Sequence, residues 1–487
     1  MYFEPQIFPM RLSTTYLLFS LLTVLFFFGC QKETASVSEE KELTLLEQYT
    51  SKVDPVYEYT PVDTIDGEGF TTYVLRMVSQ KWLTEAELKD PLWWHWVTVV
   101  VPDSLQSNTG LLVIGGGNRK REQPKEPNEL LVQAAMASYS VAIDLHNVPN
   151  QPIEFVSDTF GPRDEDEIIS YGWRKFMEGG AKDEDIRWLS RMPMTTAAVR
   201  AMDAVQDFSK KAFTRPVDKF VVAGGSKRGW TTWTTGIVDD RVVAIAPIVI
   251  DVLNVISSFE HHWQAYGYWA PAVGDYDHEG VMDWQGSKEY ARLLSIVEPY
   301  HYLDRLTMPK LMINGSGDQF FLPDSWKFYW NDLQGEKYLR YVPNSEHSMR
   351  GTDALATLIA FHKNVVENRS QPQFDWSVEN GEIVIQTKSE FSPASLTLWK
   401  ATNPEERVFR VDAVGRIYES EEIEINENGN YRISVDEPES GYTAFFVELA
   451  FGGDVPMKLS TGIVVTPDTY QHEPFQSDDP KGTPMTP

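Results

Sequence analysis

Five short apolar runs, separated by stretches of helical spacing, restrict what this chain can fold into more than any other feature. They are "GLLVIGGG" (110–117), "SVAIDL" (140–145), "KFVVAGG" (219–225), "VVAIAPIVID" (242–251) and "PKLMINGSGD" (309–318). None alternates polar and apolar residues, so each reads as a strand buried on both faces. Between them, "ELLVQAAMAS", "EDEIISYGWRKFMEG" and "MPMTTAAVRAMDAVQDFSKKA" place apolar residues at i, i+3 and i+4, as core-facing helices do. Strands that alternate with helices in this way predict a mostly parallel sheet with helices on both faces, an α/β fold.

The edges of this pattern differ. "TTYVLRMVSQKW" and "WWHWVTVVVP" flank a helical "LTEAELKD" and predict early antiparallel strands. Between the last two parallel strands, about 252–308, lies a segment rich in Trp, Tyr and His. It is too long for a plain loop and predicts a helical lid. Beyond 370, "EIVIQTK", "SLTLWKA", "YRISVDE" and "TAFFVELAF" stand between Gly, Asn and Pro, the texture of a small β-sandwich. The expected organisation is a leader over 1–29, a tether over 30–50, an α/β domain over 51–370, a C-terminal β domain over 371–472 and a disordered tail over 473–487.

The leader reading rests on the apolar run Tyr16–Gly29 with Arg11 before it. That run is shorter than the ~20 residues a spanning helix needs and has the form of a signal-peptide core. Gly29-Cys30 follows it, and Cys30 is the only cysteine, so no intramolecular disulfide framework is available. The position suits a lipidated cysteine, with "QKETASVSEEKE" as a solvated tether behind it. Lipidation would attach the protein to the cell envelope without spanning it. A net charge of −28 argues against nucleic acid as a partner, because phosphate affinity needs a cationic surface.

Chemistry concentrates in "VVAGGSKRGW" (221–230). A nucleophilic serine in an α/β-hydrolase sits on a sharp strand-to-helix turn, normally spelled G-x-S-x-G. Here Gly224 precedes Ser226 by two, Arg228 replaces the second glycine, and Gly229 follows one residue later. The resulting G-x-S-x-x-G also occurs in glucuronoyl esterases. The acid and the base follow the serine in that order, each after a strand. Asp318 ends "LMINGSGD", and His347 follows "YLRYVPNSE". Asp251, at the end of the preceding strand, is the reserve acid, with Asp324 behind it. In this reading His347 takes the Ser226 proton and Asp318 orients the imidazole.

The backbone N–H of Lys227 is the expected first oxyanion donor. The second comes from "LLVIGGGN", that is from Gly116, Gly117 or Asn118. Arg228 has two readings, a contact to an acidic substrate group or an ion pair that buttresses the turn. His261 and His262 are adjacent on a helix and lack a metal-binding spacing, so neither a metal nor any other cofactor is expected.

Taken together, "SQKW" with "PLWWHW", "VPNQP", "MPMTTAAVRAMDAVQ", "GGSKRGWTTW" with "DDRVVAIAPIVIDVLN", "INGSGDQFFLPDS" and "YVPNSEHSM" resemble the PhoPQ-activated pathogenicity-related family. The resemblance spans roughly residues 44–471. It implies an α/β-hydrolase fold with a C-terminal β domain and places the family's serine, aspartate and histidine on Ser226, Asp318 and His347. It supplies no substrate. The expectation is therefore an exported, membrane-anchored serine hydrolase acting on a small-molecule ester or a peptide- or glycan-derived substrate. The alternative is a non-catalytic surface or signalling protein that keeps the fold, since some relatives look like extracellular growth regulators.

Overall fold

The computed structural model describes residues 42–485. The expected leader, Cys30 and most of the tether lie outside them. Within the segment read as linker or capping helix, Leu45–Thr50 forms helix α1 with a capping box between Thr44 and Glu47, and Leu46 is fully buried. A capping box satisfies two otherwise orphaned amides at once, so a short polar-looking segment folds.

Nine strands make the main sheet: β1 (Glu58–Gly67), β2 (Phe70–Lys81), β3 (Leu92–Pro102), β4 (Thr109–Ile114), β5 (Ala142–Leu145), β6 (Lys219–Gly225), β7 (Val242–Ile248), β8 (Lys310–Gly315) and β9 (Lys337–Val342). Their order is β1-β2-β3-β5-β4-β6-β7-β8-β9. β1, β2, β3 and β5 pair antiparallel, whereas β5, β4, β6, β7, β8 and β9 run parallel. The segment "LTEAELKD" is a turn, not a helix. Its Leu88 bridges to Phe155 and its Thr84 side chain bonds Glu87, so tertiary pairing overrides helical propensity.

Among the described residues, the α-helices that follow α1 and precede the C-terminal region are α2 (Glu129–Ser138), α3 (Asp166–Glu178), α4 (Arg191–Ala212), α5 (Lys227–Val238), α6 (Val255–Tyr266), α7 (Gly274–His278), α8 (Lys288–Val297) and α9 (Ala354–Val366). Successive strand residues point to opposite faces. Leu112, Val222, Ile245 and Met312 accordingly join the core under α3, α4 and α5. Their neighbours Leu111, Val221, Ala244 and Leu311 join the core under α2 and α9. That division explains why the strand sequences are apolar throughout. Helices α6, α7 and α8 all belong to the segment between β7 and β8.

The C-terminal region forms two antiparallel sheets. One has three strands, β10 (Phe374–Glu379), β11 (Glu382–Thr387) and β14 (Asn430–Ile433). The other holds β12 (Ser395–Asn403), β13 (Glu419–Ile423), β15 (Tyr442–Phe451), β16 (Met457–Ser460) and β17 (Val464–Thr466). This region is not set apart as a second body, since Leu43 to the C-terminus is one compact unit. Asn344 exchanges hydrogen bonds with the Tyr418 backbone at 2.8 and 2.9 Å, and the Trp326 indole donates to Ile463 O at 2.8 Å. The tail expected to be disordered also packs. Phe475 meets Trp263 and Trp269 edge-on, Lys481 pairs with Asp283 at 2.9 Å, and Thr483 bonds Glu289.

Candidate active site

Topology brings the candidate residues to one edge of the sheet. Ser226 follows β6, Asp251 follows β7, Asp318 follows β8, His347 follows β9 and Gly116 follows β4. These are the carboxyl ends of parallel strands, where open α/β sheets carry their ligands. Ser226 has φ 59° and ψ −126°, a conformation that costs a non-glycine residue about 1–3 kcal/mol. Its amide donates to Ile248 O at 2.8 Å, and its carbonyl accepts from Trp230 N at 3.0 Å. The turn is therefore clamped between β7 and α5.

The two glycines of the motif are required by close approach. A Cβ on Gly224 would stand 2.6 Å from Arg228 O, and one on Gly229 would stand 2.8 Å from Ile250 Cγ2. The spelling G-x-S-x-x-G thus follows from how α5 enters against β6 and the β7 end. Arg228, which replaces the usual glycine, points its guanidinium across the turn. It donates to Val148 O and pairs with Glu165 Oε1 at 2.6 Å. Lys227 is buried and holds Glu165 at 2.7 Å and Asp166 at 2.9 Å. Burial alone would raise the Glu165 pKa, but Arg228 and Lys227 bring it down to about 2. Of the two readings of Arg228, the structure displays the buttress, its charge engaged by Glu165.

His347 and Asp318 meet directly. Nδ1 of His347 lies 2.8 Å from Asp318 Oδ2, while Asp318 Oδ1 accepts from Phe320 N at 2.7 Å. The His347 amide donates to Gln319 Oε1 at 2.8 Å, and its ring packs on Phe320 with centroids 4.2 Å apart. Its Nε2 is buried without a hydrogen-bond partner, so it is not bonded to Ser226. Ser226 and Lys227 line a cavity of about 50 Å³ together with Phe320 and Phe321, the two aromatic rings against which His347 rests.

Both reserve acids are committed elsewhere. Asp251 is buried and accepts hydrogen bonds from the hydroxyls of Tyr329 and Tyr341. Burial pushes its pKa up to about 7, against those two bonds and with help from the charges of Asp318 and Asp324. Asp324 lies 2.8 Å from His261 Nε2, from Arg407 and from Lys327. Burial works against its charge, yet these cations and the imidazole hold its pKa well below the usual carboxylate range. His262 accepts from Ala270 N at 3.0 Å, so the two histidines serve separate structural contacts.

Gly116, Gly117 and Asn118 do not line the cavity. Gly116 lies under the Arg228 guanidinium, Gly117 packs near Asn147 with φ +126°, and the Asn118 side chain accepts from Lys120 N. The guanidinium thus packs against the Cα side of Gly116. Arg191, Trp173, Trp230 and Tyr276 do line it, and sequence reading overlooked them. Their only signal was position: Arg191 opens α4, while Trp173, Trp230 and Tyr276 sit on three other helices.

A sheet of this order, with a serine on the strained turn after β6 and an aspartate and a histidine after β8 and β9, defines an α/β-hydrolase-fold protein. The chain belongs to the PhoPQ-activated pathogenicity-related protein family, whose profile matches residues 46–410. It is 36% identical over 464 residues to autocrine proliferation repressor protein A of Dictyostelium discoideum, covering 89% of this chain and 92% of that protein. Among solved structures, it is similar to acetyl xylan esterase 1 from Thermoanaerobacterium sp. JW/SL YS485. The TM-score is 0.45 at 15% identity, over 66% of this chain and 92% of that one. A glucuronoyl esterase from Solibacter usitatus matches with TM-score 0.39 at 10% identity, over 66% and 90%.

Proposed function

We propose that the protein is an exported, lipid-anchored serine hydrolase that cleaves an ester or amide through an acyl-enzyme on Ser226. The observation that carries this reading is the strained Ser226 turn opening on a cavity, on the same sheet edge as a His347–Asp318 pair at 2.8 Å. Asp318 holds the imidazole with Nδ1 toward itself, which leaves Nε2 to accept the Ser226 proton. Ser226 and His347 come within hydrogen-bond reach as substrate binds, a tightening that free enzymes often need. Once Ser226 attacks, His347 returns the proton to the leaving group, and the Lys227 amide at the start of α5 stabilises the oxyanion. The test is steady-state hydrolysis of p-nitrophenyl acetate. Ser226→Ala and His347→Gln each abolish turnover in folded protein, and turnover that survives Ser226→Ala rejects the reading.

Anchoring rests on Tyr16–Gly29 and Cys30. Cys30→Ser releases the protein from membranes, whereas retention of the variant contradicts lipidation. A second reading, a surface regulator without catalysis, is favoured by the 36% identity to a protein named as a proliferation repressor. Growth effects that persist in Ser226→Ala would support it.

A further inference from the structure

Resting on the acyl-enzyme reading above, we propose that the Ser226 cavity is an acyl pocket that admits only a short acyl group, acetyl or propionyl. Its volume is about 50 Å³. Scaled from a cavity of ~150 Å³ that holds benzene, this is room for roughly two non-hydrogen atoms. The part of a substrate that stays on Ser226 after the first step is the acyl group, so the space beside Ser226 sets acyl size.

The walls are large and pinned. Trp230 is tied by its indole N–H to Val297 O at 2.8 Å. Trp173 packs edge-on against Trp230 at 6.3 Å and Tyr276 at 5.3 Å. The Tyr276 hydroxyl donates to Asp166 at 3.1 Å. Phe259 and Val273 close the cavity from the segment between β7 and β8, and Phe259 stacks on His262. A wall packed at this density does not yield to a longer chain without strain.

Lys227 holds Glu165 and Asp166. Arg191 donates to Lys227 O at 3.0 Å and lies flat over Trp230 at 4.4 Å. In the reaction, Ser226 Oγ bonds to the acyl carbonyl carbon and the bond to the leaving oxygen or nitrogen breaks. The leaving group departs with the proton His347 took from Ser226. Water then cleaves the acyl–Ser226 ester, releasing the short acid and restoring the serine hydroxyl.

The experiment compares p-nitrophenyl acetate, butyrate and octanoate as substrates of the full chain. Acetate exceeds octanoate in kcat/KM by at least about tenfold, the discrimination that misfitting methylenes impose on an apolar pocket. Phe259→Ala and the milder Val273→Ala raise the octanoate-to-acetate ratio. Equal or greater kcat/KM on octanoate, or no change of ratio in either variant, overturns the inference. Labelling of Ser226 by a small fluorophosphonate, run in parallel, separates the two failures. With labelling intact, only the acyl-size inference falls; without it, the hydrolase reading falls first.

Discussion

Asp318 and Asp251 are buried at the ends of neighbouring strands, yet only Asp318 meets an imidazole. Asp251 instead accepts from two tyrosines, and burial lifts its pKa to about 7. Its folded pKa exceeds the unfolded value of about 3.9, so the native state binds the extra proton. The stability it contributes is full below pH ~4 and is lost as the pH rises through about 7. Native protein therefore loses thermal stability between pH 5 and pH 8, and Asp251→Asn flattens that part of the decline in differential scanning calorimetry. The same pair of acids separates catalysis from structure. Asp318→Asn lowers hydrolysis by about 10⁴-fold, as loss of the correct tautomer does, whereas Asp251→Asn leaves it within tenfold. Equal losses would mean the acid is misassigned.

The elements show why some of the site was legible in the sequence and some was not. Runs such as "KFVVAGG" and "PKLMINGSGD" are buried on both faces, so strand identity and the residues just beyond each strand could be read directly. That is how Ser226, Asp318 and His347 were located. Arg228 could not be resolved, because its partner Glu165 lies 63 positions away. "LTEAELKD" misled because its fate depends on pairing with Phe155. The cavity was invisible for the same reason: its walls come from α3, α4, α5, α6, α7 and the loop after β8. At the turn itself, Gly224→Ala forces a methyl to 2.6 Å from Arg228 O. Overpacking of this kind costs about 1–3 kcal/mol, so the variant loses thermal stability and activity together. An active variant of native stability would show that the turn has slack.

Over the whole molecule, the C-terminal residues 467–485 act as a strap across the segment that closes the cavity. Tyr470 bonds His261 at 2.8 Å, Phe475 packs on Trp263 and Trp269, and Ser477 and Lys481 hold Asp283 at 2.7 and 2.9 Å. Removing residues 469–487 lowers the thermal midpoint and loosens the preference for short acyl chains, measured with the same ester series. Unchanged selectivity would show that the segment between β7 and β8 holds its position without the strap. All of this geometry converges on one hydroxyl, and its reactivity is the central claim. Purified protein is incubated with a small fluorophosphonate and followed by intact-mass spectrometry with peptide mapping. One stoichiometric adduct forms on Ser226, slowed strongly in His347→Gln and absent in Ser226→Ala. No adduct in correctly folded native protein, or an adduct that persists in Ser226→Ala, would contradict it.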